Sequence, residues 1–384
     1  MKNDYNGFKN IEFIEKEIQV CKTYNRDHRC TRGSIKQIVN HLHPKNIECK
    51  VTDIRKETES AKTIRLTPIG GYIPPFIPGQ YINLEVEVDG IRTSRAYSIS
   101  SSATQGAYYE ITVRATKNGF VSDYLLNKLK LGDLLTCSSP TGNFYQFPVV
   151  HGKRLVFIAG GSGITPFMSM LQTDYEKLIG DKKIDLIYGC SKESDIIFYD
   201  KLKELSQKGI LNLHPIISDP ESGCTQRTGF ISAELIKEIV GNVENCTFFL
   251  CGPCAMYDFV LPELKKIGVI DRKIRREVQT MPTDPTKLPG WPINITDADQ
   301  YVITLPEGKK ITAKATETVL TVLERNGVVV PSLCRSGECS ACRTKLISGK
   351  VFHPGNELLR KSDMKFGYMH PCVTYPISDI EILL

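Results

Sequence analysis

The stretch LVFIAGGSGITP, residues 155–166, decides how the middle of this chain folds. Leu155 to Ala159 are five apolar residues in a row, as expected of a strand buried on both faces of a parallel sheet. Gly160, Gly161, Ser162 and Gly163 follow as a tight turn that lets backbone approach a ligand closely. Ile164, Thr165 and Pro166 open a helix, with Pro166 in its first turn, where a missing N–H costs nothing. Such a helix start presents free N–H groups and the positive end of a dipole, which suits a pyrophosphate. The spacing is not the GxGxxG of the standard dinucleotide fold.

Working outward, residues 151–277 alternate apolar strands (Leu155–Ala159, Ile184–Tyr188, Thr247–Leu250) with helical stretches (Pro166–Leu178, Tyr199–Gln207). That alternation predicts a doubly wound parallel α/β sheet. Residues 48–150 read differently, as short alternating or β-branched runs such as 82–88 and 109–114, broken by turns at Pro78-Gly79, Asp89-Gly90, Gly132-Asp133 and Thr141-Gly142. Closely spaced strands of this kind predict an antiparallel barrel. Residues 1–47 carry Ile11, Ile14 and Ile18, then Ile35, Ile38, Val39 and Leu42, at helical spacing, and predict a helical extension ending at His43-Pro44. The proline-rich segment 278–297 reads as an extended linker. Beyond it, 298–384 begins with a hairpin and a helix that lead into a cysteine cluster. The fold expected is therefore multi-domain, α+β and α/β.

Cys334, Cys339, Cys342 and Cys372 give C-x4-C-x2-C-x29-C, the plant-type spacing for a [2Fe–2S] centre. Thiolates suit iron bridged by sulfide because both are soft. Zinc is the alternative, but zinc sites usually pair one CxxC with another. Ser336, Ser340 and Arg343 are candidates to tune the centre, and Gly337 allows backbone to come close to it. The sequence around these cysteines, CRSGECSACRTKLISGKV and then GYMHPC, resembles plant-type ferredoxin domains, which implies a β-grasp fold for 298–384.

Two shorter motifs lie in the barrel segment. Arg95, Ala96, Tyr97 and Ser98 form RxYS, and Gly119, Phe120, Val121 and Ser122 form GFVS at a predicted helix start. An arginine fork suits phosphate oxygens and a tyrosine face suits an isoalloxazine ring. With PGQY at 78–81 and PTGNF at 140–144, these motifs make residues 48–277 resemble the ferredoxin–NADP reductase superfamily. The resemblance implies that Arg95 binds flavin phosphate, Tyr97 packs on the ring and Ser98 lies near flavin N5. The GFVSDYL form implies FAD rather than FMN. GGSGITP is that superfamily's version of the nucleotide turn, and Cys251, Gly252 and Pro253 match its second motif. By the same resemblance Thr165 and Cys251 line a nicotinamide pocket, and a glutamate at the position of Glu277 approaches the flavin and helps move protons. For Cys251 an inert core thiol, and for Glu277 a solvated charge, remain the alternatives. Ser98, Cys251 and Glu277 are the candidate catalytic residues.

The three signatures imply a reductase that takes hydride from a reduced nicotinamide onto FAD and passes electrons singly through a [2Fe–2S] cluster. Its acceptor would be a protein, either a terminal oxygenase or another metalloenzyme, as in the reductase components of oxygenases and of hybrid cluster protein. A fixed electron-wiring or redox-sensing subunit and a free flavin reductase or diaphorase are the competing readings. NADH is expected over NADPH, because Ser218-Asp219 stands where NADP-using relatives commonly carry Ser-Arg, and a carboxylate there repels a 2′-phosphate. Lys192 and Arg227 are possible compensating cations. Of 384 residues, 41% are apolar and 24% charged, as in a globular protein. The net charge of +6 lies mainly in 1–50 (net +4) and 301–384 (net +3). No basic stripe interleaved with aromatics points to nucleic acid. No apolar run approaches the ~20 residues of a membrane span, and no leader with an apolar core precedes the first motif. A cytoplasmic location is expected, and thirteen cysteines without a secretory signal suit ligation better than disulfides.

Overall fold

The computed structural model describes residues 34–116, 119–278, 284–355 and 357–384, with a few positions between 15 and 23. The chain divides into two compact units, Met1–Lys45 and Asn46–Leu384. In the first, helix α1 (Ser34–Leu42) ends where the His43 N–H bonds the Val39 carbonyl, just before Pro44. Its Ile38, Val39 and Leu42 are exposed. Ile11, Ile14, Cys21, His28 and Cys30 lie outside the described residues.

The second unit starts with a six-stranded antiparallel sheet. Its strands are β1 (Ile47–Thr58), β2 (Ala61–Pro68), β3 (Tyr81–Val88), β4 (Ile91–Ser98), β5 (Tyr109–Arg114) and β6 (Leu134–Cys137), in the order β4-β3-β6-β1-β2-β5. The two edge strands meet through a bridge between Ile99 and Ile111, which closes the barrel. Inward residues from alternate positions, among them Ile64, Leu66, Ile82, Leu84 and Ile111, fill it completely. The β3–β4 hairpin turns on Asp89 and Gly90, both at positive φ, in the hand that matches strand twist. Helix α2 (Val121–Asn127) follows β5 and buries Val121, Leu125 and Leu126.

A six-stranded parallel sheet comes next, built from β7 (Arg154–Gly160), β8 (Lys183–Cys190), β9 (Asn212–Ile217), β10 (Arg227–Thr228), β11 (Thr247–Gly252) and β12 (Ile274–Val278). Leu155, Phe157 and Ala159 face one core while Val156 and Ile158 face the other, so both faces are covered. The cover comes from α3 (Thr165–Glu176), α4 (Tyr199–Gln207), α5 (Ala233–Val240) and α6 (Cys254–Lys266). The order β10-β9-β8-β7-β11-β12 reverses direction between β7 and β11. The carboxyl ends of those two strands frame the crevice where open α/β sheets bind ligands. Helix α3 also docks on the barrel, where Ser169 Oγ donates to the Ser101 carbonyl at 2.7 Å and the Ala103 N–H donates to Thr173 at 2.9 Å.

The last sheet is mixed, in the order β14-β13-β19-β15-β17. It uses β13 (Gln300–Thr304), β14 (Lys310–Lys314), β15 (Thr344–Ser348), β17 (Tyr368–Met369) and β19 (Ile380–Leu383); β16 (Val351–Phe352) and β18 (Tyr375–Pro376) pair separately. Helix α7 (Val319–Arg325) packs Val319, Leu320, Val322 and Leu323 into its core. The hairpin, helix and strands form the expected grasp around one helix. The segment expected as an extended linker behaves differently where it is described. Trp291 is buried with Ile295, Ala315, Phe352 and Tyr375, and its indole N–H donates to the Ile295 carbonyl at 2.8 Å. A lone large aromatic among prolines gains more from burial than the chain loses by ordering. Among the described residues, no helix is long and apolar enough to cross a membrane.

Candidate functional site

The switch point between β7 and β11 opens into a cleft of about 750 Å³. Gly160, Gly161 and Ser162 line one side, and Gly252 and Pro253 line the other. Gly163, Ile164, Thr165 and Cys251 stand behind this wall and are buried. The reason Gly163 must be glycine is contact rather than dihedral angle: a Cβ there would lie 2.0 Å from the Cys251 carbonyl oxygen. The end of β11 is thereby pressed against the turn after β7. Tyr188 donates to the Gly161 carbonyl at 2.9 Å and fixes the turn from below. Burial, with Glu277 nearby, pushes the Cys251 thiol well above its ordinary range.

The cleft has further walls that the sequence did not announce. Arg114, at the end of β5, reaches in from the barrel and is tied to Asp195 at 3.2 Å. Met256, Phe230 and Phe259 supply an apolar side, the two phenyl rings 5.7 Å apart. Ser218 also lines the cleft, while Asp219 is held by its N–H on the Ser191 carbonyl at 2.9 Å. Lys192 is paired with Glu221 at 2.7 Å and Arg227 with Glu238 at 2.6 Å.

On the barrel, Arg95, Ala96, Tyr97 and Ser98 form the end of β4. Burial, then the neighbouring Arg335 guanidinium, bring Arg95 down to about 10, and burial pushes Tyr97 up to about 12. Arg95 Nη1 donates to Thr93 Oγ1 and to the Ser94 carbonyl, each at 2.7 Å, and its buried charge makes an anion beside it a fitting addition. The turn at Gly119 to Ser122 is anchored by Thr116, whose carbonyl accepts the Gly119 N–H at 3.0 Å and whose hydroxyl lies 2.9 Å from Ser122 Oγ. Thr116 itself lines the cleft at the β7–β11 switch point, so this turn borders that cleft as well.

In the third module the four predicted cysteines gather as two pairs. Cys342 and Cys372 have sulfurs 3.4 Å apart, and Cys339 faces Cys334 across a loop. Among the described residues no three His, Cys, Asp or Glu side chains close on a single ion site. Two pairs of thiols suit two irons better than one zinc. The N–H groups of Ser336, Glu338 and Cys339 point at Cys334 sulfur from 3.4, 3.4 and 3.3 Å. Cys339, and after it the Ser336 hydroxyl and N–H, hold the Cys334 thiol below its usual range against the effect of burial, while the same pairing pushes the Cys339 thiol up. The loop achieves this by placing Arg335, Gly337 and Ser340 at positive φ, a nest of the kind that surrounds anions. His370 is fully buried behind it. Its Nδ1 lies 3.0 Å from the Gly337 carbonyl and must donate, which leaves Nε2 for the Ser340 hydroxyl at 3.1 Å. Arg343 turns away to Asp363 at 3.0 Å and to the face of Tyr368.

The three modules meet at one small cavity of about 20 Å³, lined by Tyr81, Ala96 and Ser98 of the barrel, Glu277 of β12, and Cys334, Ser336 and Glu338 of the cysteine loop. Cys251 sits beside Glu277 in the β11–β12 register. Of the three candidate catalytic residues, Ser98 and Glu277 line this junction, and Cys251 lies buried one strand away from Glu277.

Comparison with known proteins accounts for each module. Residues 49–145 match the oxidoreductase FAD-binding domain, 157–261 the oxidoreductase NAD-binding domain, and 303–376 the 2Fe-2S iron-sulfur cluster binding domain. These three domains, in this order, are those of three-module reductases of the ferredoxin–NADP reductase family. It is similar to the NADH oxidoreductase HCR of Escherichia coli, 29% identical over 336 residues that cover 87% of this chain and 96% of that one. It is also similar to the glycine betaine monooxygenase reductase subunit of Pseudomonas aeruginosa, 27% identical over 80% of this chain and 87% of the relative. The fold matches phthalate dioxygenase reductase over 88% of this chain and 97% of that one, with a TM-score of 0.64 at 24% identity. This reductase is a flavoprotein iron–sulfur oxidoreductase with FAD, NAD and [2Fe–2S] modules.

Proposed function

We propose that this reductase oxidises NADH in preference to NADPH and delivers single electrons to a protein acceptor, a terminal oxygenase or another metalloenzyme in the cytoplasm. The modules divide as 48–150, 151–277 and 298–384, with 278–297 joining the last two and 1–47 as an extension; the three sheets, which keep to those bounds within one residue, support this. Relatives named as reductase subunits of monooxygenases support the oxygenase acceptor.

When bound, the nicotinamide supplies a hydride, FAD accepts the pair and releases electrons one at a time, and the cluster carries them singly. The chain's own residues do the placing. Arg95, with the turn at Gly119, Phe120, Val121 and Ser122, holds the FAD phosphates, and Ala96 and Tyr97 seat the ring. Gly160 to Thr165, with Gly252 and Pro253, hold the dinucleotide. Cys334, Cys339, Cys342 and Cys372 hold the cluster. Ser98 and Glu277 keep hydrogen-bonding groups at the junction, where Glu277 can hold or release a proton; Cys251, protonated because it is buried, shapes the pocket floor. Asp219 disfavours a 2′-phosphate, and Lys192 and Arg227 are each engaged by a carboxylate rather than turned to a ligand.

The observation that carries the proposal is the single cavity where Ser98, Glu277 and Cys334 meet. The test is an anaerobic absorbance titration of the purified protein with NADH and, separately, NADPH. Bleaching of both flavin and cluster bands at substoichiometric NADH is expected. Bleaching of the flavin alone would refute the connection.

A further inference from the structure

The structure ties the cysteine loop to the flavin strand through one hydroxyl. Thr93 Oγ1, two residues before Arg95 on β4, donates to Glu324 Oε2 at 3.0 Å. It accepts from Arg95 Nη1 at 2.7 Å and from Arg335 Nη2 at 3.1 Å. One donor and two acceptor sites are all a threonine hydroxyl has, so it is saturated. Glu324, on the last turn of α7, completes the ring as an ion pair with Arg335, with the two side chains 8% and 14% exposed. Nearby, Asn83 Nδ2 donates to the Ser332 carbonyl at 2.9 Å, and Ser94 and Ser332 hydroxyls lie 3.2 Å apart.

Arg335 sits between two cluster-ligand positions of the loop, directly after Cys334, and its φ is +56°. For a long side chain that conformation is strained, so something outside the loop must hold it. Glu324 and Thr93 are what it reaches. A buried ion pair contributes little net stability, because desolvation offsets the attraction, but it fixes geometry when every partner is satisfied.

We infer that Glu324, Arg335 and Thr93 form a positioning latch that sets the cluster-bearing loop against the flavin strand and so governs how fast electrons pass between them. This rests on the reading that FAD lies along Arg95 to Ser98 and the cluster on the four cysteines. None of the three residues needs to touch either redox group. Glu324 acts through Arg335, and Arg335 acts through the loop.

The test uses the full-length protein loaded with FAD and cluster, as Glu324→Ala and, more conservatively, Glu324→Gln. In anaerobic stopped flow with NADH, flavin bleaching and the reduction of ferricyanide, a small anion able to take electrons from the flavin, should match the parent. Cluster bleaching should slow by about tenfold or more, in keeping with the effect of ångström-scale misplacement. FAD and iron content, and the electron paramagnetic resonance signal after dithionite, should not change. Amide exchange should quicken in 328–336 and in β4 while β13 and β19 stay protected. If Glu324→Ala loses iron, Glu324→Gln carries the same readouts. Cluster bleaching at the parental rate in the variant that retains iron, or unchanged exchange at 328–336, would overturn the latch. Loss of both bands' response in the parent would instead count against the underlying assignment of function.

Discussion

A methyl group at position 163 would enter the Cys251 carbonyl, and that oxygen belongs to backbone with no rotamer to move. Gly163→Ala should therefore cost about 1–3 kcal/mol, the usual range for overpacking, and raise KM for NADH while FAD content holds. Gly180→Ala is the matched control, since a Cβ there meets nothing within 4 Å; thermal melts of the two variants separate contact from any general effect of replacing glycine. Coenzyme choice is also decided by single residues. The parent should favour NADH in kcat/KM by about tenfold or more, about 1.4 kcal/mol, and Asp219→Arg should narrow that ratio. At this scale the sequence was most legible where chemistry is local. GGSGITP and the cysteine ladder each bring several neighbouring residues to one place, the cleft at the β7–β11 switch point and the two thiol pairs, so short spacing reveals them. Thr93, Glu324 and Arg335 were invisible, because the first lies more than 200 positions from its partners and no short motif contains them. Arg114, Phe230 and Phe259 escaped for the same reason: each enters the nucleotide cleft from a different element.

Elements were read well where one period dominates. The apolar runs of β7, β8 and β11 and the alternation of β3 and β5 gave their types directly, and no end moved by more than two residues. What periodicity cannot show is how neighbouring strands are tied. Asp185 of β8 is only 2% exposed and meets Arg154 of β7, Asn212 of β9 at 2.7 Å and His214 of β9 at 3.5 Å. Burial alone would raise its pKa, but His214, Asn212 and Arg154 outweigh it and hold the carboxyl at about 2. The folded value lies below the ordinary 3.8, so the contribution is complete above about pH 4 and is lost as pH falls through about 2. Asp185→Asn should cost about 3–5 kcal/mol at neutral pH by leaving Arg154 without its partner. Urea melts at pH 7 and pH 2.5 test both points: the difference between parent and variant should shrink in acid.

For the whole molecule, the least legible property was the way the modules join. Composition alone made 278–297 a tether, yet Trp291 anchors its described part to the ferredoxin module. Trp291→Ala should cost about 3–5 kcal/mol, as expected of a buried large aromatic. Because the damage lies on one module, the cluster band should be lost at lower urea than the flavin band, with FAD still bound. Equal shifts in both bands would mean that the modules unfold as one.

Trp291 is also the protein's only tryptophan. Excited selectively in the apoprotein, the indole emission arises from the packing of Trp291 against the ferredoxin module. Apoprotein assembly can then be followed by light alone, with the emission changing as the third module closes and absorbance marking the arrival of flavin separately. The protein thus carries a site-specific optical label that needs no engineering.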